Sequence, residues 1–250
     1  MRTAVIIGAT SGIGRALAVK MAKEGWKLGV AGRRGDRLEA LAAEFPEGTI
    51  CTQVLDVTKP EATQALDALL EKIGAPDLFV HVSGVGHQNR ALEESIEVQT
   101  MDTNCTGMVR IVTHFINYVK SSPAYNARHK AHIGVITSVS AVKGMGTAAS
   151  YSCSKIMQVA YLTALSQLSR MEKWPVRFTD IRPGFVDTDI LDKSKKYPMM
   201  LTAEQSADYI LKGLKRKRRK IIFSWPFRVV TWVWSLVPRA LWERMTFISN

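Results

Sequence analysis

The chain is predicted to fold as a single doubly wound α/β domain, a parallel sheet with helices on both faces. Three observations predict it. Short apolar runs alternate with segments of helical periodicity along the chain, which implies parallel strands joined by right-handed crossovers. A glycine-rich turn follows the first apolar run at once. With 250 residues, 27.8 kDa and 46% hydrophobic side chains, the chain has enough apolar volume for one large core. In such a sheet a ligand site belongs at the carboxyl ends of the strands.

Thr3 to Ile7 is apolar and largely β-branched, as a strand buried on both faces requires. Gly8-Ala9-Thr10-Ser11-Gly12-Ile13-Gly14 follows, and Leu17, Ala18, Met21 and Ala22 then share one face of a helix. Strand, glycine turn and helix together aim backbone N–H groups and a helix N-terminus at a pyrophosphate. Gly8 permits the turn, Gly12 lets the backbone approach phosphate, and Gly14 lets the helix pack closely on the strand. The remaining strands are Leu28 to Ala31, Ile50 to Leu55, Leu78 to Val82, Ile133 to Thr137, Arg177 to Ile181 and Lys220 to Phe223. Ser121 to Lys130, with Pro123 and Asn126, reads as a surface loop. The first strand begins almost at Met1, which leaves no room for a signal or transit peptide, so a cytoplasmic location is expected. Cys51, Cys105 and Cys153 have neither metal-ligand spacing nor even pairing, so no metal site and no disulfide framework is expected.

The chemistry concentrates in Ser138 and in Tyr151-Ser-Cys-Ser-Lys155. A free tyrosine, with a pKa of about 10, is a poor acid or base at neutral pH. If residues 151 to 170 are helical, Lys155 shares a face with Tyr151 at i+4, and its ammonium can favour the phenolate by about 1.4 kcal/mol for each pKa unit of lowering. With Ser138 the three can move a proton to or from an oxygen.

Taken together, these motifs resemble those of the short-chain dehydrogenase/reductase family, over about residues 3 to 225. The resemblance implies a Rossmann fold, a nicotinamide dinucleotide and hydride transfer to or from a carbonyl or carbinol carbon. It places the family's catalytic Asn, Ser, Tyr and Lys on Asn104, Ser138, Tyr151 and Lys155, with Lys155 also holding the nicotinamide ribose and Asn104 a water that refills the proton. It assigns Gly8, Thr10, Ser11, Gly12, Ile13 and Gly14 to the cofactor phosphates, Asp56 and Val57 to the adenine, and Gly84 to the cofactor wall. In Arg182-Pro183-Gly184-Phe185-Val186-Asp187-Thr188 it assigns Pro183, Gly184, Val186 and Thr188 to the nicotinamide side. One motif departs: where the family has Asn-Asn-Ala-Gly, this chain has His81-Val82-Ser83-Gly84. Ile7 and Val82 are expected as an apolar pair in place of a polar one. His81 reads either as a hydrogen-bonded structural histidine or as a proton-relay or cofactor-supporting residue.

Val30-Ala31-Gly32-Arg33-Arg34 puts two guanidinium groups where the adenosine ribose would lie, with no acid at that strand end to accept from a 2′-hydroxyl. A planar guanidinium fork matches a phosphate, so NADP(H) is the expected cofactor, with Arg15 facing the same phosphate. The alternative is a solvated basic turn. The family's usual metabolic direction for that cofactor is reduction of a ketone.

Residues 212–250 hold ten Lys or Arg, one acid and four of the six tryptophans, so they carry +9 of a formal net charge of +12. Lys215 to Lys220 is wholly basic, and the apolar run Phe227 to Val237 is too short and too interrupted, by Arg228 and Pro238, to span a bilayer. The expected organisation is therefore a domain at 1–225 and a hydrophobic, basic extension at 226–250. Residues 212–250 then contact a membrane face, cover the substrate pocket or form a subunit interface. No nucleic-acid module accompanies the charge, which argues against that partner. Two functions stand: an NADP(H)-dependent reductase of a hydrophobic, lipid- or steroid-like ketone, expected as a homodimer or homotetramer, or a non-catalytic dinucleotide-sensing protein. The substrate pocket is expected to close under Ile190 to Leu201.

Overall fold

Successive side chains of a strand point to opposite faces, and the first strand shows what that does here. In a computed structural model describing residues 2–188 and 197–246, Ala4 and Ile6 of β1 (Thr3–Ile7) enter one core while Val5 and Ile7 enter the other. Seven parallel strands form one sheet in the order β3-β2-β1-β4-β5-β6-β7. They are β2 (Lys27–Gly32), β3 (Ile50–Val54), β4 (Leu78–His81), β5 (Ala131–Ile136), β6 (Val176–Arg182) and β7 (Lys220–Ile222). Each expected strand is present, its ends shifted by a residue or two.

Helices α1 (Gly12–Lys23), α2 (Gly35–Ala43) and α7 (Ala203–Lys215) cover one face through Leu17, Met21, Leu38 and Leu211. On the other, α3 (Ala62–Ile73), α5 (Gly107–Ser121) and α6 (Ala149–Met171) contribute Leu66, Leu69, Phe115 and Leu162. Burying one such side chain contributes roughly 1.5–3 kcal/mol before the entropy of ordering it. The strand order reverses between β1 and β4, which opens a crevice at the carboxyl ends of the strands.

The chain leaves α4 (Glu94–Met101) through a widened π turn at Asp102–Thr106 before entering α5, and Asn104 sits inside that turn. After β7, α8 (Trp225–Leu236) and the single turn α9 (Arg239–Trp242) fold back on the body. Phe227 packs with Val139 and Ile222 in a small third core, and the Trp242 indole N–H donates to the Gly144 carbonyl at 2.7 Å. The basic turn Lys215 to Lys220 and the tryptophan helix α8, expected to form one surface, lie at opposite ends of β7. No helix among the described residues is long and apolar enough to cross a membrane.

Candidate active site

The contrast between two helix starts locates the phosphate end of the site. α7 closes its own N-terminus with a capping box: the Thr202 hydroxyl accepts from Gln205 N–H at 3.2 Å, and Gln205 Oε1 accepts from Thr202 N–H at 3.0 Å. α1 has no side-chain cap and no acid in its first turn, so its leading N–H groups face the glycine turn. That turn is sterically committed. Gly8 takes φ +97, and a Cβ on Gly14 would stand 2.0 Å from the Gly8 carbonyl oxygen.

A cleft of about 220 Å³ runs from this turn across the strand ends. Among the lining residues are Thr10, Ser11 and Ile13 of the turn, Arg33 and Arg34 after β2, Asp56 and Val57 after β3, and Gly84 after β4. Ser138, Tyr151 and Lys155 line its far end, with Pro183, Gly184, Val186 and Thr188 as the opposite wall. Every predicted position therefore meets in one place, except Asn104, which lies just behind the wall. The expectation for Arg15 is corrected: it is ion-paired with Glu44 and does not line the cleft.

At the adenosine end, Arg34 Nη2 donates to the Thr10 and Ser11 hydroxyls, each at 2.8 Å, which fixes its guanidinium against the glycine turn. Burial alone would raise the Asp56 pKa, but Thr58 bonds it through N–H at 3.0 Å and hydroxyl at 2.8 Å, and Arg33 adds its charge. Asp56 therefore stays below the usual carboxylate range.

At the other end, Ser138 and Tyr151 line the cleft together, and Ser140 N–H donates to Ser138 Oγ at 3.0 Å. Burial pushes the Tyr151 pKa above its ordinary value, and the influence of the Ser138 hydroxyl only partly offsets it. The expected lowering by Lys155 is thus corrected, and the physical reason is direction. The Lys155 ammonium, 5.7 Å from the Tyr151 ring centre, donates to the Ile136 carbonyl and to Gln158 Oε1, both at 3.1 Å. Burial lowers the Lys155 pKa to about 8. Tyr151 consequently holds its proton at neutral pH, the state from which it can donate.

Gln158 is the residue that sequence reasoning missed. Fully buried, it receives Lys155 on its oxygen and donates from Nε2 to the Asn104 carbonyl at 2.8 Å. The Asn104 side chain is equally engaged, donating to Val85 O at 2.8 Å and Ser154 Oγ at 3.0 Å and accepting from Val85 N–H at 2.9 Å. The polar groups of the Asn104 side chain thereby tie the π turn to the β4 loop and to α6. A second unforeseen network lies behind Ser138, where Asp180 accepts from the Thr137 hydroxyl at 2.6 Å and from Arg182 Nε at 2.7 Å. Only the three-residue spacing from Lys155 to Gln158 on one helix signals the first network.

His81 is fully buried in β4 between Ile7 and Val135, and neither ring nitrogen has a partner. The hydrogen-bonded histidine expected from sequence is corrected accordingly. Burial, helped by the nearby Lys155 charge, lowers its pKa to about 3 and keeps the ring neutral. Ile7 and Val82 also do not pair through side chains. Their side chains belong to different cores, and the link between them is Val82 N–H to Ile7 O at 2.8 Å.

A parallel doubly wound sheet with an uncapped glycine turn, and a Ser-Tyr-Lys group across the same cleft, defines a class that the comparisons make specific. The chain matches the short chain dehydrogenase family over residues 2–198 and belongs to that family of oxidoreductases. It is 31% identical over 251 residues to an uncharacterized oxidoreductase of Myxococcus xanthus (strain DK1622), covering 97% of this chain and 95% of the relative. It is 32% identical over 191 residues to the serine 3-dehydrogenase of Agrobacterium fabrum (strain C58 / ATCC 33970), covering 75% of this chain and 73% of that one. Among solved structures, an alcohol dehydrogenase from the archaeon Thermococcus sibiricus, complexed with 5-hydroxy-NADP, is similar at a TM-score of 0.77 and 26% identity, covering 89% of this chain and 95% of that chain.

Proposed function

We propose that this oxidoreductase reduces the carbonyl of a hydrophobic ketone, with NADP(H) as cofactor and Tyr151 as the general acid. The observation that carries the reading is Tyr151, kept protonated and lining the cleft together with Ser138, at the end of a cleft whose other end holds Arg33, Arg34 and the uncapped start of α1. The residues fit a dinucleotide. A Cβ on Gly14 would fill the space that close packing of turn on helix needs, and the free N–H groups of α1 suit a pyrophosphate. Gly8 and Thr10 to Gly14 would hold the phosphates, Asp56 and Val57 the adenine, and Pro183 to Thr188 with Gly84 the nicotinamide end. Bound there, the cofactor would supply a hydride. Two guanidinium groups with no acid between them favour the 2′-phosphate.

Ser138 and Tyr151 both line this end of the cleft, where their hydroxyls would hydrogen-bond a carbonyl oxygen and favour its developing negative charge. Tyr151 then gives up its proton to that oxygen. Lys155, charged below about pH 8, would hold the nicotinamide ribose. Asn104 acts by position, holding the π turn and, through Gln158, the ammonium. Most of the segment expected to close the pocket, 190–196, lies outside the described residues.

The extension at 226–250 belongs to the same reading. Trp225, Val229, Trp232, Val233 and Leu236 are exposed and recur at helical spacing along one side of α8, while Phe227 and Thr231 face the body. We propose that this side rests on the cytoplasmic face of a membrane. Exposed Val98, Met101, Leu168 and Met171 on α4 and α6 support a second copy of the chain as partner. The test of the catalytic reading is Tyr151→Phe. Turnover of reduced cofactor with a ketone should fall by about 100-fold or more while cofactor affinity stays within a few fold, and retained turnover in stopped-flow kinetics would refute Tyr151 as the acid.

A further inference from the structure

At the amino ends of the strands, opposite the dinucleotide cleft, lies a cavity of about 430 Å³. Its floor is apolar and built from Trp26, Leu78, Leu211 and Leu214. Around that floor stand Arg2, Arg128, Lys130, Arg177 and Lys217, none ion-paired with a carboxylate among the described residues. Of the other cations, Lys215, also in the lining, pairs with Glu24, and away from the cavity Arg15 pairs with Glu44 and Lys20 with Asp208. The only carboxylate in the lining, Asp77, already accepts from Thr3 N–H at 2.9 Å and faces His129 at 3.7 Å.

Like charges gathered round a low-dielectric concavity repel one another and focus a positive potential into it. His132 lies within that field. It is buried in the lining, 2.7 Å from the Thr179 hydroxyl, and burial together with the charges of Arg177 and Lys217 holds its ring neutral. Arg2 stacks over the Trp26 ring at 4.6 Å, and the other four cations, without a carboxylate partner among the described residues, exceed what one carboxylate would neutralise. They suit a phosphate, which carries more charge and accepts from guanidinium forks in two directions.

We propose that this cavity is a second ligand site, for a phosphate ester whose phosphate lies between Arg177, Lys217 and the Arg128–Lys130 loop and whose apolar or aromatic body rests on Trp26 and Leu78. The site is separate from the chemistry proposed for the cleft and stands whether or not that chemistry does.

The test is a calorimetric titration of the full chain with inorganic pyrophosphate at fixed ionic strength and with saturating NADP(H) to occupy the cleft, alongside R177A/K217A, R128A/K130A and R33A/R34A. Arg128 and Lys130 are exposed side chains whose loss leaves the core untouched, so at least one informative pair will fold. One saturable site is expected, weakened roughly tenfold or more in each of the first two pairs and unchanged in the third. Absence of saturable binding, or weakening confined to R33A/R34A, would overturn the proposal. Flotation with phosphatidate vesicles separates the two sources of the phosphate. Vesicle binding abolished by R177A/K217A marks a lipid headgroup, and vesicle binding indifferent to that pair, with pyrophosphate binding lost, marks a soluble ester.

Discussion

Lys155 is a buried cation whose behaviour depends on one neighbour that the sequence hardly advertises. Its ammonium is shared between the Ile136 carbonyl and Gln158 Oε1, and Gln158 carries the other end of the bond to Asn104, 54 residues away in the chain. Tyr151, Lys155 and Ser138 were legible because their chemistry is tied to short spacings. The Gln158 link was not, because its partner becomes a neighbour only after folding. With the Lys155 pKa near 8, carbonyl reduction should decline as pH rises through about 8. Gln158→Glu would set a carboxylate beside the ammonium, favour its charged form and move that decline to higher pH. Gln158→Leu should cost roughly tenfold in turnover with the fold retained, since one charge-assisted bond is lost. pH–rate profiles of both variants, with circular dichroism as the fold control, check this. An unmoved profile in the glutamate variant would mean that Gln158 does not govern Lys155.

At the scale of elements, the strands were readable because parallel strands buried on both faces are continuous apolar runs, and helix α1 because its glycines and apolar stripe agree. The π turn at Asp102–Thr106 was not, since it is set by the bonds Asn104 makes to Val85 and Ser154 rather than by local propensity. The C-terminal region was read as one basic, aromatic surface. Folding divides it, with the basic turn ahead of β7 and the tryptophan helix beyond it. Attachment to a membrane then rests on the exposed side of α8, and Trp232, 63% exposed, is its largest central group. Trp232→Glu should reduce co-sedimentation with anionic vesicles several-fold while leaving thermal stability within about 0.5 kcal/mol, as an exposed substitution does. Sedimentation equal to that of the parent chain would remove α8 from the membrane reading.

Over the whole molecule, two buried histidines link stability to acid. The folded-state pKa values of His81 and His132 are lowered to about 3 and about 4, from 6.5 in the unfolded chain. As pH falls below 6.5, the unfolded chain therefore binds protons that the native chain refuses. Stability contributed by the neutral rings is present above that pH and is lost progressively toward pH 4 and 3, at up to about 1.4 kcal/mol per pH unit for each ring. Denaturant midpoints measured from pH 7 to pH 4 should fall accordingly. His81→Leu should flatten the slope, and because both ring nitrogens are unpartnered, it should cost little at pH 7. An unchanged slope in that variant would contradict the burial argument.

In the proposed reaction a hydride crosses this cleft to a ketone while Tyr151 supplies the proton. Its most direct test is to supply NADPH deuterated at the transferable position of the nicotinamide, with a panel of hydrophobic ketones, and to read the alcohol by mass spectrometry. Deuterium is expected on the carbinol carbon, with transfer lost in Tyr151→Phe and a preference for the phosphorylated cofactor that R33A/R34A removes. Tight cofactor binding without label in any product would contradict it and leave a dinucleotide-sensing protein on the same fold.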